Sequence, residues 1–186
     1  IHCWSAPRSC STALLYSFDS RDDCTGVDEP LYGKHLLDNP HLNRPYKEQL
    51  IASQPHSNDT NQIMEVLQQN RGTEYTFFKH MGKHFPLLGL SAATAATNKA
   101  NFLLNNNDEQ AVHKHIILIR DPLKVIMSWD SAVKNGNASL CSLEEIGLPD
   151  LVLAHETLTN CSAAASKNVI VVDSDSLLLK PEETLK

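Results

Sequence analysis

The stretch that decides the fold is IHCWSAPRSCSTALLYSF, residues 1–18. It opens apolar, passes into SAPRSCST, a loop dense in hydroxyls with one arginine, and runs on into ALLYSF. That is the layout of a strand, a tight turn and a helix. Such a turn presents unpaired backbone N–H groups and the positive end of a helix dipole, which together hold an anion. Ser9, Ser11 and Thr12 add hydroxyl donors, and Arg8 adds a planar fork suited to phosphate or sulfate oxygens. Pro7 stiffens the entry to the turn. The loop lacks the glycines and the Gly-Lys pair of the GxxxxGK[ST] phosphate loop. The same residues also fit a serine-rich helix cap with an exposed arginine, so a second anchor is needed to decide between the two.

Outward from this loop, three further segments read as buried parallel strands: TEYTFFK at 73–79, KHIILIR at 114–120 and NVIVVD at 168–173. A weaker one, CTGVDE, lies at 24–29. Helical stretches alternate with them: STALLYSFDSR, QIMEVLQQN, PLKVIMSWDSAVKN and the long SLEEIGLPDLVLAHETLTNCSAAASK. Strands alternating with helices imply a doubly wound α/β sheet with right-handed crossovers. Residues 32–60, with DNPHLNRPY and SQPHSNDT, are polar and proline-rich and read as an insertion or lid within a single domain spanning 1–186. NNNDEQ at 105–110 reads as a surface loop. In such sheets ligands sit at the carboxyl ends of the strands. The residues to watch are therefore 5–12, 28–32, 79–84, 120–122 and 173–176.

Bulk properties narrow the function less. At 186 residues the chain can bury one proper core. A net charge of −6 argues against a general binder of nucleic-acid polymers, which needs a broad basic face, but a small anion needs only a local cluster of donors. The five cysteines (Cys3, Cys10, Cys24, Cys141 and Cys161) have neither zinc spacing nor disulfide density, so reduced thiols in a cytoplasmic or stromal setting are expected. Sequons at Asn58, Asn137 and Asn160 would instead suit a secreted chain, although asparagine is abundant enough for chance matches. No run approaches the ~20 apolar residues of a membrane span. A start without methionine, inside a strand, reads as a piece of a longer protein.

The second anchor is IILIRDPLKVIMSW. Arg120 closes an apolar strand, Pro122 opens a helix where its missing N–H is harmless, and Ser128 follows two turns along. An arginine and a serine so placed can meet around one small anion. Alone, RDP also fits an Asp121 helix cap with Arg120 paired to it. A nucleotide triphosphatase would use Asp121 for magnesium, but the glycines and lysine it needs are missing.

Together, PRSCST and RDPLKVIMS resemble the sulfotransferase family, whose architecture is that of the P-loop nucleoside triphosphate hydrolases. PRSCST is similar to its loop for the 5′-phosphosulfate, and RDPLKVIMS to its 3′-phosphate motif, in which an arginine and a serine eight residues later grip the 3′-phosphate of PAPS. WSAPRSCSTALLYSF, RDD and VDEPLY also resemble a plant-type sulfotransferase-like domain found beside a branched-chain aminotransferase-like one. The resemblance implies a three-layer α/β domain, PAPS as co-substrate without a metal, a small-molecule hydroxyl or amine acceptor, and a fused neighbour. It assigns Arg8, Ser9, Cys10, Ser11 and Thr12 to the 5′ side, and Arg120 and Ser128 to the 3′-phosphate. Cys10 stands where the family has glycine, so residue 10 is expected in a conformation tolerable to a side chain. The GxxGxxK segment of cytosolic members is not found.

For the base that accepts the proton of the acceptor, Glu29 in VDEPLY is expected, because strand alternation points it away from Asp28. His80 in FFKHMGKHF is the alternative base, and Lys79 a further contact for sulfate, with Lys83 and His84 also near the cleft. Trp129 reads as helix packing. Two other readings stay open: a non-catalytic nucleotide-binding module, and a P-loop kinase or triphosphatase.

Overall fold

The computed structural model describes residues 1–90, 99–104, 112–134, 142–160 and 168–184. Cys141, Cys161, Asn137 and the 105–110 loop lie outside these residues. Five strands form one parallel sheet: β1 (His2–Ser5), β2 (Cys24–Asp28), β3 (Tyr75–Met81), β4 (His115–Ile119) and β5 (Val169–Asp173). Their order is β2-β3-β1-β4-β5, with every pairing parallel. β1 lies in the centre, and the chain crosses from one side of it to the other between β3 and β4. Ligands of open α/β sheets bind at such a reversal, outside the carboxyl ends of the strands.

The inner strands β1, β3 and β4 are largely buried because both faces are covered, whereas the edge strands β2 and β5 are only partly so. On one face Trp4, Phe78 and Ile117 pack with α4 (Thr60–Gln68), through Ile63, Met64 and Leu67, and with Leu151, Ala154 and Leu158 of a later helix, Leu148–Asn160. On the other face Cys3, Phe77, Ile116 and Leu118 pack with Leu14 and Leu15 of α1 (Ser11–Asp19) and with Leu177. Burial pushes the Cys3 thiol up to about 12, which keeps it protonated and inert.

The insertion holds no strand. It folds as α2 (Tyr32–Asp38), α3 (Lys47–Ser53) and a 3₁₀ turn at Pro55–Asn58. After β4 come α5 (Pro122–Lys134), α6 (Leu143–Ile146) and α7 (Leu148–Asn160), then α8 (Ser174–Leu179) and α9 (Pro181–Thr184) after β5. The long helical reading of 142–167 breaks at Gly147, whose φ of 63° is left-handed. A Cβ there would lie 3.1 Å from the backbone nitrogen of Lys83, so the position favours glycine twice over.

The core is unusual in its histidines. His2, His80, His84 and His115 are fully or almost fully buried. His2 links His80 (Nδ1 to Nε2, 3.2 Å) to His113 (Nε2 to Nδ1, 3.0 Å). The Trp4 indole donates to His115 Nδ1 at 3.4 Å, so the proton sits on Nε2, which donates to the Leu103 carbonyl at 2.8 Å. Burial holds His2, His80 and His84 well below the ordinary histidine value and His115 down to about 4, so all four are neutral near pH 7.

Candidate active site

The loop after β1 reaches α1 through two residues in left-handed backbone, Arg8 (φ 64°) and Cys10 (φ 63°, ψ 14°). Cys10 therefore keeps the conformation a glycine would adopt, which corrects the expectation that a side chain would force a relaxed one. Left-handed backbone costs a residue with a Cβ roughly 1–2 kcal/mol, and such strain persists only where the surroundings over-determine it. The carbonyl of Cys10 accepts the first helical bond, from Leu14 N–H at 3.1 Å, but no side chain caps the N-terminus of α1. Its first-turn N–H groups are thus left without a side-chain cap, as at helix starts that bind anions. Ser9 and Ser11 are buried beneath the loop, while Arg8 and Thr12 are exposed.

The two sequence motifs converge. Arg8 Nε donates to Ser128 Oγ at 3.1 Å, and Arg120 Nη1 donates to the Arg8 carbonyl at 2.6 Å. Arg120 Nε also lies 3.9 Å from Asp175 Oδ1, and Lys124 Nζ binds the other oxygen of that carboxylate at 2.8 Å. Asp121 caps α5, accepting from Leu123 N–H at 2.9 Å. It does not pair with Arg120. Ser9 Oγ, Arg120 Nε and Ser174 Oγ are buried without a hydrogen-bond partner. Buried polar atoms are rarely left so, and three of them flank one cationic cluster. Trp129 is buried on α5, consistent with helix packing.

At the ends of β2 and β3 the arrangement is different. Glu29 has a φ of 45°, which turns its side chain back. Alternation ends with the strand at Asp28, so Asp28 and Glu29 do not diverge as expected: both reach one ammonium. Lys79 Nζ donates to Asp28 Oδ1 at 2.8 Å and to Glu29 Oε1 at 2.7 Å. Lys79 is 3 % exposed. Burial works against its charge, but the two carboxylates outweigh that and hold its pKa above the ordinary lysine value. Lys79 sits opposite Cys3 in the register, on the α1 face, whereas its neighbour His80 sits opposite Trp4 on the other face.

That register corrects the expectation for His80. Its ring is fully buried, stacks on Trp4 with centroids 4.1 Å apart and bonds His2, so it has no surface to offer an acceptor. His84 is equally buried, against Tyr32 and His35. Lys83 pairs with Glu145 at 3.2 Å, and Arg44 from the insertion binds the other oxygen of Glu145. These two cations overcome burial and lower the pKa of Glu145. The sequence offered no local sign of the Arg44 contact, whose partners lie 101 residues apart. Asp175 was equally hidden: the strand-end rule picked out 173–176 but gave that carboxylate no task.

In this five-stranded parallel sheet, two arginines and a serine meet beside the uncapped start of one helix, an arrangement that suits a phosphate-like anion. The family model of the sulfotransferase domain matches residues 1–142, and the chain belongs to that family. The chain is 33% identical over all 186 residues to branched-chain-amino-acid aminotransferase-like protein 2 of Arabidopsis thaliana and 32% identical to protein 1. It spans 28% of the length of each of these relatives. Among solved structures, the sulfotransferase domain of the Synechococcus PCC 7002 olefin synthase superposes with a TM-score of 0.56 at 16% identity, covering 99% of this chain and 69% of that one. The sulfotransferase domain of the curacin biosynthetic pathway gives 0.55 at 18%, covering 99% and 70%. At these identities the structural likeness concerns the fold. Among the described residues no helix is long and apolar enough to cross a membrane.

Proposed function

We propose that the chain moves a sulfuryl group from PAPS to a hydroxyl or amine of a small-molecule acceptor by in-line transfer. The observation that carries this reading is the meeting of Arg8, Arg120 and Ser128 beside the uncapped start of α1. The cluster suits a bis-phosphorylated nucleotide, and Arg8 and Thr12 are exposed to receive one. Arg8, Ser9, Ser11, Thr12 and the N–H groups after Cys10 would hold the 5′ phosphosulfate, and Arg120 and Ser128 the 3′-phosphate. The transfer needs cationic donors where charge develops on the leaving phosphate, and a base at the acceptor. Glu29 takes the acceptor proton as sulfur bonds to the acceptor oxygen or nitrogen, and the bond from sulfur to the 5′-phosphate oxygen breaks to release PAP. Lys79 orients the Glu29 carboxylate.

The test is turnover of labelled PAPS in the wild type, lost in Glu29→Gln while PAP affinity is retained. Retained turnover in that variant removes Glu29 from the chemistry. A second reading, a nucleotide-binding module without turnover, draws on the same ion pair, since Lys79 at 2.7 Å already occupies the Glu29 carboxylate. It predicts PAP binding with no turnover in any variant. A kinase or triphosphatase would need Asp121 for magnesium, and magnesium-dependent ATP binding is the result that would favour it. The free thiols of Cys3, Cys10 and Cys24 fit a cytoplasmic setting, and the names of the Arabidopsis relatives fit a fused aminotransferase-like neighbour.

A further inference from the structure

The insertion at 32–60 grips the backbone of the proposed base. We propose that Gln54 is a positioning residue that holds Glu29 in its left-handed conformation, so that the insertion sets the geometry of the base; this rests on reading Glu29 as that base. Gln54 Nε2 donates to the Glu29 carbonyl at 3.0 Å, while its Oε1 accepts the Gly33 N–H at 2.8 Å. The amide orientation is forced, because a backbone N–H only donates and a carbonyl only accepts. Two residues on, His56 Nε2 bonds the Pro30 carbonyl at 3.0 Å, so one short turn holds two successive carbonyls of the Glu29 loop.

The other side of Glu29 is fixed by the sheet. Its N–H donates to the Lys79 carbonyl at 2.9 Å and its side chain meets Lys79 Nζ. The Tyr32 N–H adds a second bond to the Glu29 carbonyl, at 2.9 Å. A φ of 45° is unfavourable for glutamate and persists where neighbours over-determine it. The sheet holds the amide end and the carboxylate, and Gln54 holds the carbonyl end. Without Gln54, rotation about residue 29 would carry the carboxylate off Lys79 and away from the acceptor. Gly33 shows how tightly the turn is docked: a Cβ there would meet Gln54 Oε1 at 3.0 Å.

The experiment compares wild type, Gln54→Ala and Gln54→Glu in the full chain. Gln54→Glu keeps the acceptor for Gly33 and loses the donor to Glu29, which separates docking of the insertion from hold on the base. Two quantities are read: release of label from ³⁵S-PAPS to water and to 2-naphthol, and hydrogen exchange at the Glu29 and Tyr32 amides. Both variants are expected to lower kcat about tenfold, the scale of one hydrogen bond, at unchanged PAP affinity and KM for PAPS. Both should also speed exchange at these two amides about tenfold relative to β1 and β3. Unchanged exchange and unchanged kcat overturn the proposal, as does a loss in Gln54→Ala that Gln54→Glu does not share. A wild type that releases no label from PAPS overturns the reading of Glu29 as a base, whereas exchange still decides whether Gln54 holds the backbone.

Discussion

The loop after β1 and the turn after β2 leave the same edge of the sheet and both bend through left-handed residues, but they are held in opposite ways. Around Arg8 and Arg120 the polar groups outnumber their partners, and three buried donors or acceptors remain unmatched. Around Glu29 every group is tied down: N–H to β3, carbonyl to Gln54 and Tyr32, carboxylate to Lys79. On the reading proposed above, the first would receive the charged donor, and the second, pre-set by its bonds, would supply the base. Strain serves both, since left-handed backbone turns Cys10 into a helix start and Glu29 toward Lys79.

Acid sharpens the contrast by acting beneath both ends at once. His2, His35, His80, His84 and His115 all have pKa values lowered by burial, His35 and His115 to about 4. The unfolded chain therefore binds protons first as pH falls. Stability is complete above about pH 6.5 and declines on acidification by about 1.4 kcal/mol per pH unit for each such histidine, until its folded value is reached. Urea unfolding between pH 7 and pH 5 should show a steep loss with uptake of several protons; a flat profile would mean that the histidines are hydrated.

Lys79→Met tests the pre-set end. It strands the largely buried Glu29 carboxylate, whereas Asp28 is exposed to water, and should lower stability by about 3 kcal/mol, read as a drop of roughly 6–12 °C in Tm. PAP affinity should change little, and a large loss would move Lys79 to the donor end. Arg120→Ala is the converse. It should weaken PAP binding roughly 100-fold, the scale of a charged phosphate contact, with little change in Tm. The smallest effect is Cys10→Gly. Relief of the left-handed strain, less the extra freedom glycine gives the unfolded chain, should raise stability by about 0.5–1 kcal/mol. A destabilised variant would show that the thiol packs.

Much of this was legible in the sequence. All five strands read from the chain are present, the central ones because parallel strands buried on both faces leave apolar runs. The pairing of PRSCST with RDPLKVIMS was also legible, since each motif abuts a strand end and β1 neighbours β4. What escaped was conformational or long-range. Nothing in VDEPLY announces a left-handed glutamate, so alternation was extended one residue too far. His80 was placed at the cleft because its face depends on register, and Lys79 and His80 part to opposite faces at adjacent positions. Gln54 and Asp175 act through contacts that only the folded chain brings together.

The central claim is that Arg8, Arg120 and Ser128 form one grip for a bis-phosphorylated nucleotide. Calorimetric titration with PAP in the absence of magnesium tests it most directly, comparing wild type with Arg120→Ala and Lys79→Met. The account predicts tight binding by the wild type, loss in Arg120→Ala and retention in Lys79→Met. Equal PAP affinity in wild type and Arg120→Ala, or tighter binding of ATP with magnesium than of PAP, would contradict it.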